Sequence, residues 1–298
     1  MKEILNITFR LTVSCLLAAV VMGSTFIITN NAKKHNEHVR EERVMYSLLG
    51  YGEQNPAPES LHMHEVYRYV VAEAGSQFIG YLLPTAASAE APFVFVVLDL
   101  NGKMAWQKPV DVEEDKVREK EDRDQAIIAA IGPGKDITFA EQTIIVTDGD
   151  ERVAYLMGGK FQGFKVLIAV MMAMDPNYTL MGFEVLEHEE DPGLGAEIEQ
   201  DYFQNQFKDK PFEVLKGLDV VKEPLPSEYE KALEGELSET ETEKMMDKYR
   251  EQDIYALTGA TISSKLVTDG LKGIGKKFAY RLDTLDVVLK EQQIAVSF

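Results

Sequence analysis

The chain opens on one long apolar run and continues in shorter, alternating ones. Residues 11–29 (LTVSCLLAAVVMGSTFIIT) carry no charge. A helix of that length, at roughly 1.5 Å per residue, reaches about 29 Å, close to the ~30 Å of a hydrocarbon core, so the run predicts a membrane-spanning helix. A cleaved signal peptide is the other reading, but its apolar part is usually shorter, about 7–15 residues, and ends in a small-residue cleavage site. Val21-Met22-Gly23 resembles such a site only weakly, and the length of the run favours a retained anchor. Residues 32–50 mix Lys, Arg and Glu and read as a charged helical stalk; residues 51–60, with glycine, asparagine and two prolines, read as a linker.

Beyond the linker the period changes to two. Residues 64–72 (HEVYRYVVA) alternate, 77–83 and 93–98 are rich in β-forming residues, and Leu100-Asn101-Gly102-Lys103 has the composition of a hairpin turn. Residues 143–146 and 152–157 flank Thr147-Asp148-Gly149-Asp150-Glu151 as a second hairpin. The apolar run 164–174 (FKVLIAVMMAM) is too short to cross a bilayer and predicts a buried strand, paired with 178–186 through the turn Asp175-Pro176-Asn177. Residues 202–207 read as a short docking helix and 227–252 as one polar, glutamate-rich helix. In 265–278 the residues Val267, Leu271, Ile274 and Phe278 make the apolar stripe of an amphipathic helix. The run 111–125 is almost all charge and reads as a solvated helix or loop. No internal repeat or low-complexity tract is present.

Composition narrows the class. At 298 residues the chain can hold one or two domains with a sizeable core. Its 31 basic residues face 50 acidic ones, which argues against nucleic acid as a partner, because phosphates would be repelled. The acidic surface serves solvation or docking with a partner protein. The only cysteine is Cys15, so no intramolecular disulfide and no cysteine metal site can form. His62 and His64 alternate, and His35 and His38 lie on the charged stalk; all four read as solvated, and no metal site is expected. Charges on the two sides of the apolar run are mixed, so they do not set its orientation. The bulk of the chain follows the run, which favours a short N-terminus inside and a large domain outside.

Two short motifs carry the chemistry. Thr258-Gly259-Ala260-Thr261-Ile262-Ser263-Ser264 stands directly before the amphipathic helix. One reading is an N-cap that satisfies free amides. The other is an anion site, in which small residues let a phosphate approach the backbone at the start of a helix. The second motif is Glu190-Asp191-Pro192-Gly193-Leu194-Gly195, following the strand that ends Val185-Leu186. Pro192 and Gly193 suit a β-turn with positive φ at the glycine; the two glycines would also let main chain lie flat against a ring, with Leu194 covering its face.

Together these motifs resemble the flavin-domain family shared by the G subunit of the Rnf complex and the C subunit of sodium-pumping NADH:quinone oxidoreductase. The likeness runs over residues 163–278, through GFKVLIAVMMAMDPNYTLMGFEVLEHEEDPGLGAEI and LTGATISSKLV, and the N-terminal anchor agrees. The resemblance implies FMN joined through its phosphate to Thr261 by a dedicated flavin transferase. Thr258, Gly259, Ala260, Ser263 and Ser264 would line the phosphate. Glu190, Gly193, Leu194 and Gly195 would lie near the flavin, with Asp191 where the family has threonine. A threonine hydroxyl is a poor nucleophile without a base beside it, which is why a separate enzyme is expected. The family's transferase motif also has an aspartate three residues before its first Ser/Thr; here that position is Tyr255, and the nearest acid is Asp253.

The expectation is therefore an α+β protein: an N-terminal transmembrane helix, then an extracytoplasmic FMN-binding domain of antiparallel strands with flanking helices. Its parts are residues 1–31 as anchor, 32–60 as stalk and linker, and 61–298 as the flavin domain, with a charged insert at 99–159. The implied role is a single-pass electron-carrier subunit of the cytoplasmic membrane, closest to the Rnf G subunit. Other subunits of a membrane redox complex, the lipid bilayer and the flavin transferase would be its partners, and it would have no catalytic acid or base of its own. Three alternatives stay open: the quinone-reductase C subunit, a stand-alone sensory or regulatory flavin module, and a non-flavin scaffold in which Thr261 is only a cap.

Overall fold

The computed structural model describes residues 2–86 and 89–298, without the side chains of residues 28, 31, 32, 34, 35, 37 and 38, so the expected setting of His35 and His38 lies outside the described part. The chain divides into two units, one ending at Tyr46 and one running Ser47–Phe298. The first is formed by helix α1 (Lys2–Leu48). Its stretch Lys2–Ile27 is long and apolar enough to cross a membrane, with a mean hydropathy of 2.0, and buries none of itself against protein. Apolar side chains all round a helix with no protein cover suit a lipid solvent.

The second unit is built on strands β1 (Leu61–Glu73), β2 (Ser76–Pro84), β3 (Phe93–Leu98), β4 (Met104–Val110), β5 (Lys135–Asp148), β6 (Glu151–Gln162), β7 (Leu167–Met174) and β8 (Leu180–Glu187). They form one sheet in the order β4-β3-β2-β1-β5-β6-β7-β8, each strand antiparallel to its neighbours. The period-two pattern of the sequence sorts side chains between two faces. Tyr67, Tyr69, Val71, Leu82, Phe95 and Val97 gather on one face under helix α2 (Lys120–Ile131), which contributes Ile127 and Ile131. Val66, Leu83, Val96, Ile145, Met157 and Met172 gather on the other under helix α7 (Thr261–Glu291), through Val267, Leu271, Phe278 and Leu285. The glycine of α7 that crosses β6 lets helix and sheet approach closely: a Cβ on Gly270 would stand 2.3 Å from the Phe161 ring.

Between β8 and α7 lie short elements: a 3₁₀ turn at Gly195–Glu199, α3 (Asp201–Gln204), α4 (Phe212–Gly217), β9 (Val220–Val221), α5 (Ser227–Leu233), α6 (Glu239–Tyr249) and β10 (Ile254–Tyr255). Phe203 and Phe207 dock beneath β8, where Phe207 meets Phe183 edge to face at 5.2 Å.

Four expectations need correction. The single helix expected over 227–252 is two, because Gly235 takes positive φ (73°) and Ser238 starts α6 afresh with a capping box. The final helix does not stop near Phe278; buried Leu282, Leu285, Val288 and Leu289 carry its stripe to Glu291. The charged run is not wholly solvated. Arg123 is buried, with its guanidinium 4.0 Å over the Tyr67 ring and donating to Tyr69 Oη (2.7 Å) and the Val117 carbonyl (2.7 Å). His64 is half-buried rather than solvated, within hydrogen-bonding distance of Thr147 Oγ1 (3.0 Å) and Ser297 Oγ (2.8 Å); burial, and then His62 beside it, lowers its pKa.

Candidate functional site

The site is assembled where the start of α7 meets the loop after β8. The approach to α7 is held from below. Lys210 is buried, and its ammonium donates to three carbonyls at the end of α6 and beyond: Tyr249 (3.0 Å), Arg250 (2.9 Å) and Gln252 (2.8 Å). Desolvation pushes its pKa down to about 8, against a smaller opposing pull from Asp253. The two-residue strand β10 then pairs in parallel with β9. The Tyr255 amide donates to Gln206 Oε1 (2.8 Å), and its ring packs edge-on against Tyr229 and Tyr249. Tyr255 thus belongs to an aromatic cluster, while the nearby Asp253 accepts from the Asp219 amide at 2.8 Å.

From Leu257 the backbone closes a tight loop. The Ala260 amide bonds the Leu257 carbonyl at 3.0 Å, and Gly259 takes φ +77°, a conformation open to glycine. Ser264 is fully buried. Its hydroxyl accepts from the Leu257 amide (3.0 Å) and donates to the Ala260 carbonyl (3.0 Å), which fixes the loop's shape. Ser263 is also buried, and its hydroxyl donates to Glu190 Oε2. Thr258 and Gly259 are exposed and Ala260 is buried.

Ala260, which has no capping group, occupies the N-cap of α7, and Thr261 is the first helical residue. Thr261 is therefore not the N-cap. Its hydroxyl and the amides of Thr261, Ile262 and Ser263 have no hydrogen-bond partner among the described residues. The first amides of any helix lack intrahelical acceptors. Here they stand at the positive end of a 31-residue helix, beside a half-exposed threonine, so the arrangement can take an anion.

The loop after β8 supplies the opposite wall. The Leu194 amide bonds the Asp191 carbonyl (3.1 Å), with Pro192 and Gly193 in the middle and Gly193 at φ +72°, the expected turn. Leu194 lies over the first motif: a Cβ on Gly259 would come within 2.9 Å of Leu194 Cδ2. Glu190 is buried and meets both Ser263 and the turn before β7. His188 Nδ1 accepts from the Glu190 amide (3.0 Å), which leaves Nε2 to carry the proton toward Glu199 at 3.1 Å. Thus both motifs come together, with Thr261 and its amides open and Ser263 and Ser264 engaged with protein.

Sequence reasoning missed the turn 163–166. Its Phe164 is 56% exposed, and Leu194 and Ile262 are 45% and 59% exposed, on the three segments that make the site. A helix start open to an anion, with exposed apolar side chains on the two segments that Glu190 and Leu194 join to it, suits a ligand with a phosphate at one end and a flat apolar body at the other. The residues present therefore fit a flavin mononucleotide: three free amides and a hydroxyl for the phosphate, a positive-φ glycine where the backbone must be low, and apolar side chains for the ring. The missed turn had one legible signal, the glycine just before the apolar run.

A family model and several known proteins are similar to this chain. Residues 163–274 match the model of the FMN-binding domain family. The G subunit of the proton-translocating ferredoxin:NAD(+) oxidoreductase complex of Clostridium ljungdahlii is 29% identical over 179 residues, covering 60% of this chain and 78% of that protein. Two solved structures are similar at 17% identity and a TM-score of 0.37. One is NqrC of Shewanella oneidensis, covering 57% of this chain and 72% of that one; the other is the C subunit of the Na(+)-translocating NADH-quinone reductase of Parabacteroides distasonis, covering 81% and 90%. The matched segment, residues 163–274, holds both motifs of the site.

Proposed function

We propose that this chain is the electron-carrying subunit of an ion-translocating, Rnf-type membrane redox complex, with FMN esterified through its phosphate to Thr261. The observation that carries the reading is an open hydroxyl on the first residue of α7. The hydroxyls of Ser263 and Ser264 are bonded to protein; those of Thr258 and Thr261 have no partner among the described residues, and of these two only Thr261 lies in the helix, beside its free amides. The relative from Clostridium ljungdahlii, a subunit of such a complex, supports the assembly. The apolar stretch of α1 supports anchoring in the cytoplasmic membrane, and the large unit after it supports placement of the flavin outside.

When bound, FMN supplies reversible electron transfer, and the protein supplies placement. The amides of Thr261, Ile262 and Ser263 would hold the phosphate against the helix start. Leu194 and Gly259 would set how close the ligand comes to the backbone, and Phe164 and Ile262 would exclude water from its apolar part. A separate transferase would form the ester: Thr261 Oγ1 would give up its proton and bond the flavin-side phosphorus of flavin adenine dinucleotide, the phosphoanhydride bond would break, and AMP would leave. Among the described residues no acid or base is bonded to that hydroxyl, which is why the transferase is needed. Produced together with its transferase, the chain is expected to give a fluorescent band after denaturing electrophoresis, and Thr261→Ala to give none. A covalent flavin that persists in that variant rejects the assignment.

A further inference from the structure

Glu190 has surroundings that a residue lying against a flavin does not need. It is 5% exposed. Its Oε1 accepts from the Phe164 amide at 2.7 Å and, at 3.5 Å, from the Lys165 amide; its Oε2 accepts from the Ser263 hydroxyl. The donors come from two separate places, the turn before β7 and the first turn of α7, while Glu190 itself opens the loop that carries Leu194. Both oxygens are used as acceptors, and among the described residues no cation touches either one.

Two glycines border the same carboxylate. A Cβ on Gly163 would stand 2.7 Å from Glu190 Oε1, and one on Gly195 would stand 2.6 Å from Oε2 and 2.8 Å from Ser263 Oγ. These glycines make room for a carboxylate rather than for a ligand. A second link joins the same turn and loop from outside, the ion pair of Lys165 with Asp191 at 2.5 Å, with both side chains near half exposure. Exposed pairs of this kind contribute little, whereas a buried acceptor leaves its donors unsatisfied when it is removed. The inner link therefore dominates the outer one.

We infer that Glu190 is a positioning residue, a buried strut seated between Gly163 and Gly195 that holds the Phe164 turn, the Leu194 loop and the Thr261 helix start in register, without itself touching the cofactor. The inference rests on the assignment of FMN to Thr261 for its functional consequence, but the strut is measurable without flavin. Gln can replace the carboxylate in geometry, since Oε1 still accepts from Phe164 and Nε2 can donate to Ser263 Oγ.

The test compares Glu190→Ala, Glu190→Gln and Ser263→Ala in the full chain. Covalent FMN per chain is measured after production with the transferase, and amide hydrogen exchange at Phe164 is measured in the unloaded protein. Glu190→Ala is expected to lose about tenfold in both loading rate and Phe164 protection, Glu190→Gln to stay within about twofold of the unsubstituted chain in both, and Ser263→Ala to fall between. Full loading and full protection in Glu190→Ala overturn the strut. So does a Glu190→Gln variant as defective as Glu190→Ala, which would mean that charge and not shape is required. If Glu190→Ala does not fold, Ser263→Ala decides: loading and protection unchanged from the unsubstituted chain overturn the inference. If the unsubstituted chain takes no flavin, the assignment to Thr261 fails, and the exchange measurement still judges the strut.

Discussion

Helices α6 and α7 both start with hydroxyl-bearing residues before a helical run, and they use them oppositely. At the start of α6, Ser238 and Glu241 form a closed capping box, in which the Ser238 amide donates to Glu241 Oε2 at 3.2 Å. The hydrogen bonds from Ser238, its side chain first, lower the Glu241 pKa. The box answers the backbone groups of Ser238 and Glu241 locally. At the start of α7 the N-cap is Ala260, which answers nothing, and Thr261 lies one position inside the helix with its hydroxyl open. The nearby serines face inward, Ser264 closing its own loop and Ser263 bonding Glu190. Of these two starts, that of α6 closes a capping box on itself, and that of α7 is braced from behind by serines that leave the Thr261 hydroxyl open.

The sharpest way to break this comparison is to exchange the two roles. Thr261→Ala is expected to abolish covalent flavin while leaving the fold intact, because no hydrogen bond among the described residues is lost. Ser238→Ala is expected to leave flavin loading unchanged and to lower stability by about 1 kcal/mol. In-gel fluorescence and chemical denaturation of the two variants read both effects. A loss of flavin in Ser238→Ala would erase the distinction.

Lys210 ties the end of the first helix to the approach of the second, and it gives the next largest effect. Its folded pKa of about 8 lies below the ordinary lysine value of 10.5. Between those values the unfolded chain binds more protons than the folded one. Stability should therefore rise as pH increases from about 8 to about 10.5, by up to about 3 kcal/mol, with no pH dependence from this group below that window. Denaturation midpoints measured across the window should show the rise in the unsubstituted chain and lose it in Lys210→Met.

Gly259 tests the geometry of the loop. Its φ of +77° and the nearness of Leu194 mean that Gly259→Ala strains the backbone and meets a side chain 2.9 Å away. The expected cost is about 1–2 kcal/mol in thermal unfolding, together with slower flavin loading. The smallest effect is expected from Asp191→Ala, which removes only the exposed partner of Lys165; it should change stability by less than about 1 kcal/mol.

What could be read from residue order was whatever depends on neighbours in the chain. The apolar length of α1, the hairpin partners β7 and β8, the Pro192-Gly193 turn and the stripe through Val267 and Leu271 are all local patterns. The break between α5 and α6 was also legible, since Ser238-Glu239-Thr240-Glu241 has the spacing of a capping box, but the run of glutamates masked it. The bracing of the site was not legible. Glu190 meets Ser263 across 73 positions and Lys210 meets Tyr249 across 39, and nothing in either segment marks its distant partner. For the same reason two serines that look available to a phosphate are turned inward by tertiary contacts. Arg123, taken with its charged neighbours as solvated, is buried because Tyr67 and Tyr69 on β1 offer a ring face and a hydroxyl.

The central claim is that Thr261, left open at the start of α7, carries the cofactor. Mass spectrometry of the peptide containing Thr261, from protein taken out of its native membrane, tests it most directly. The account predicts a mass increased by FMN in phosphoester linkage, with fragmentation placing it on Thr261. An unmodified peptide, or a flavin found on Thr258, Ser263 or Ser264 instead, would contradict it.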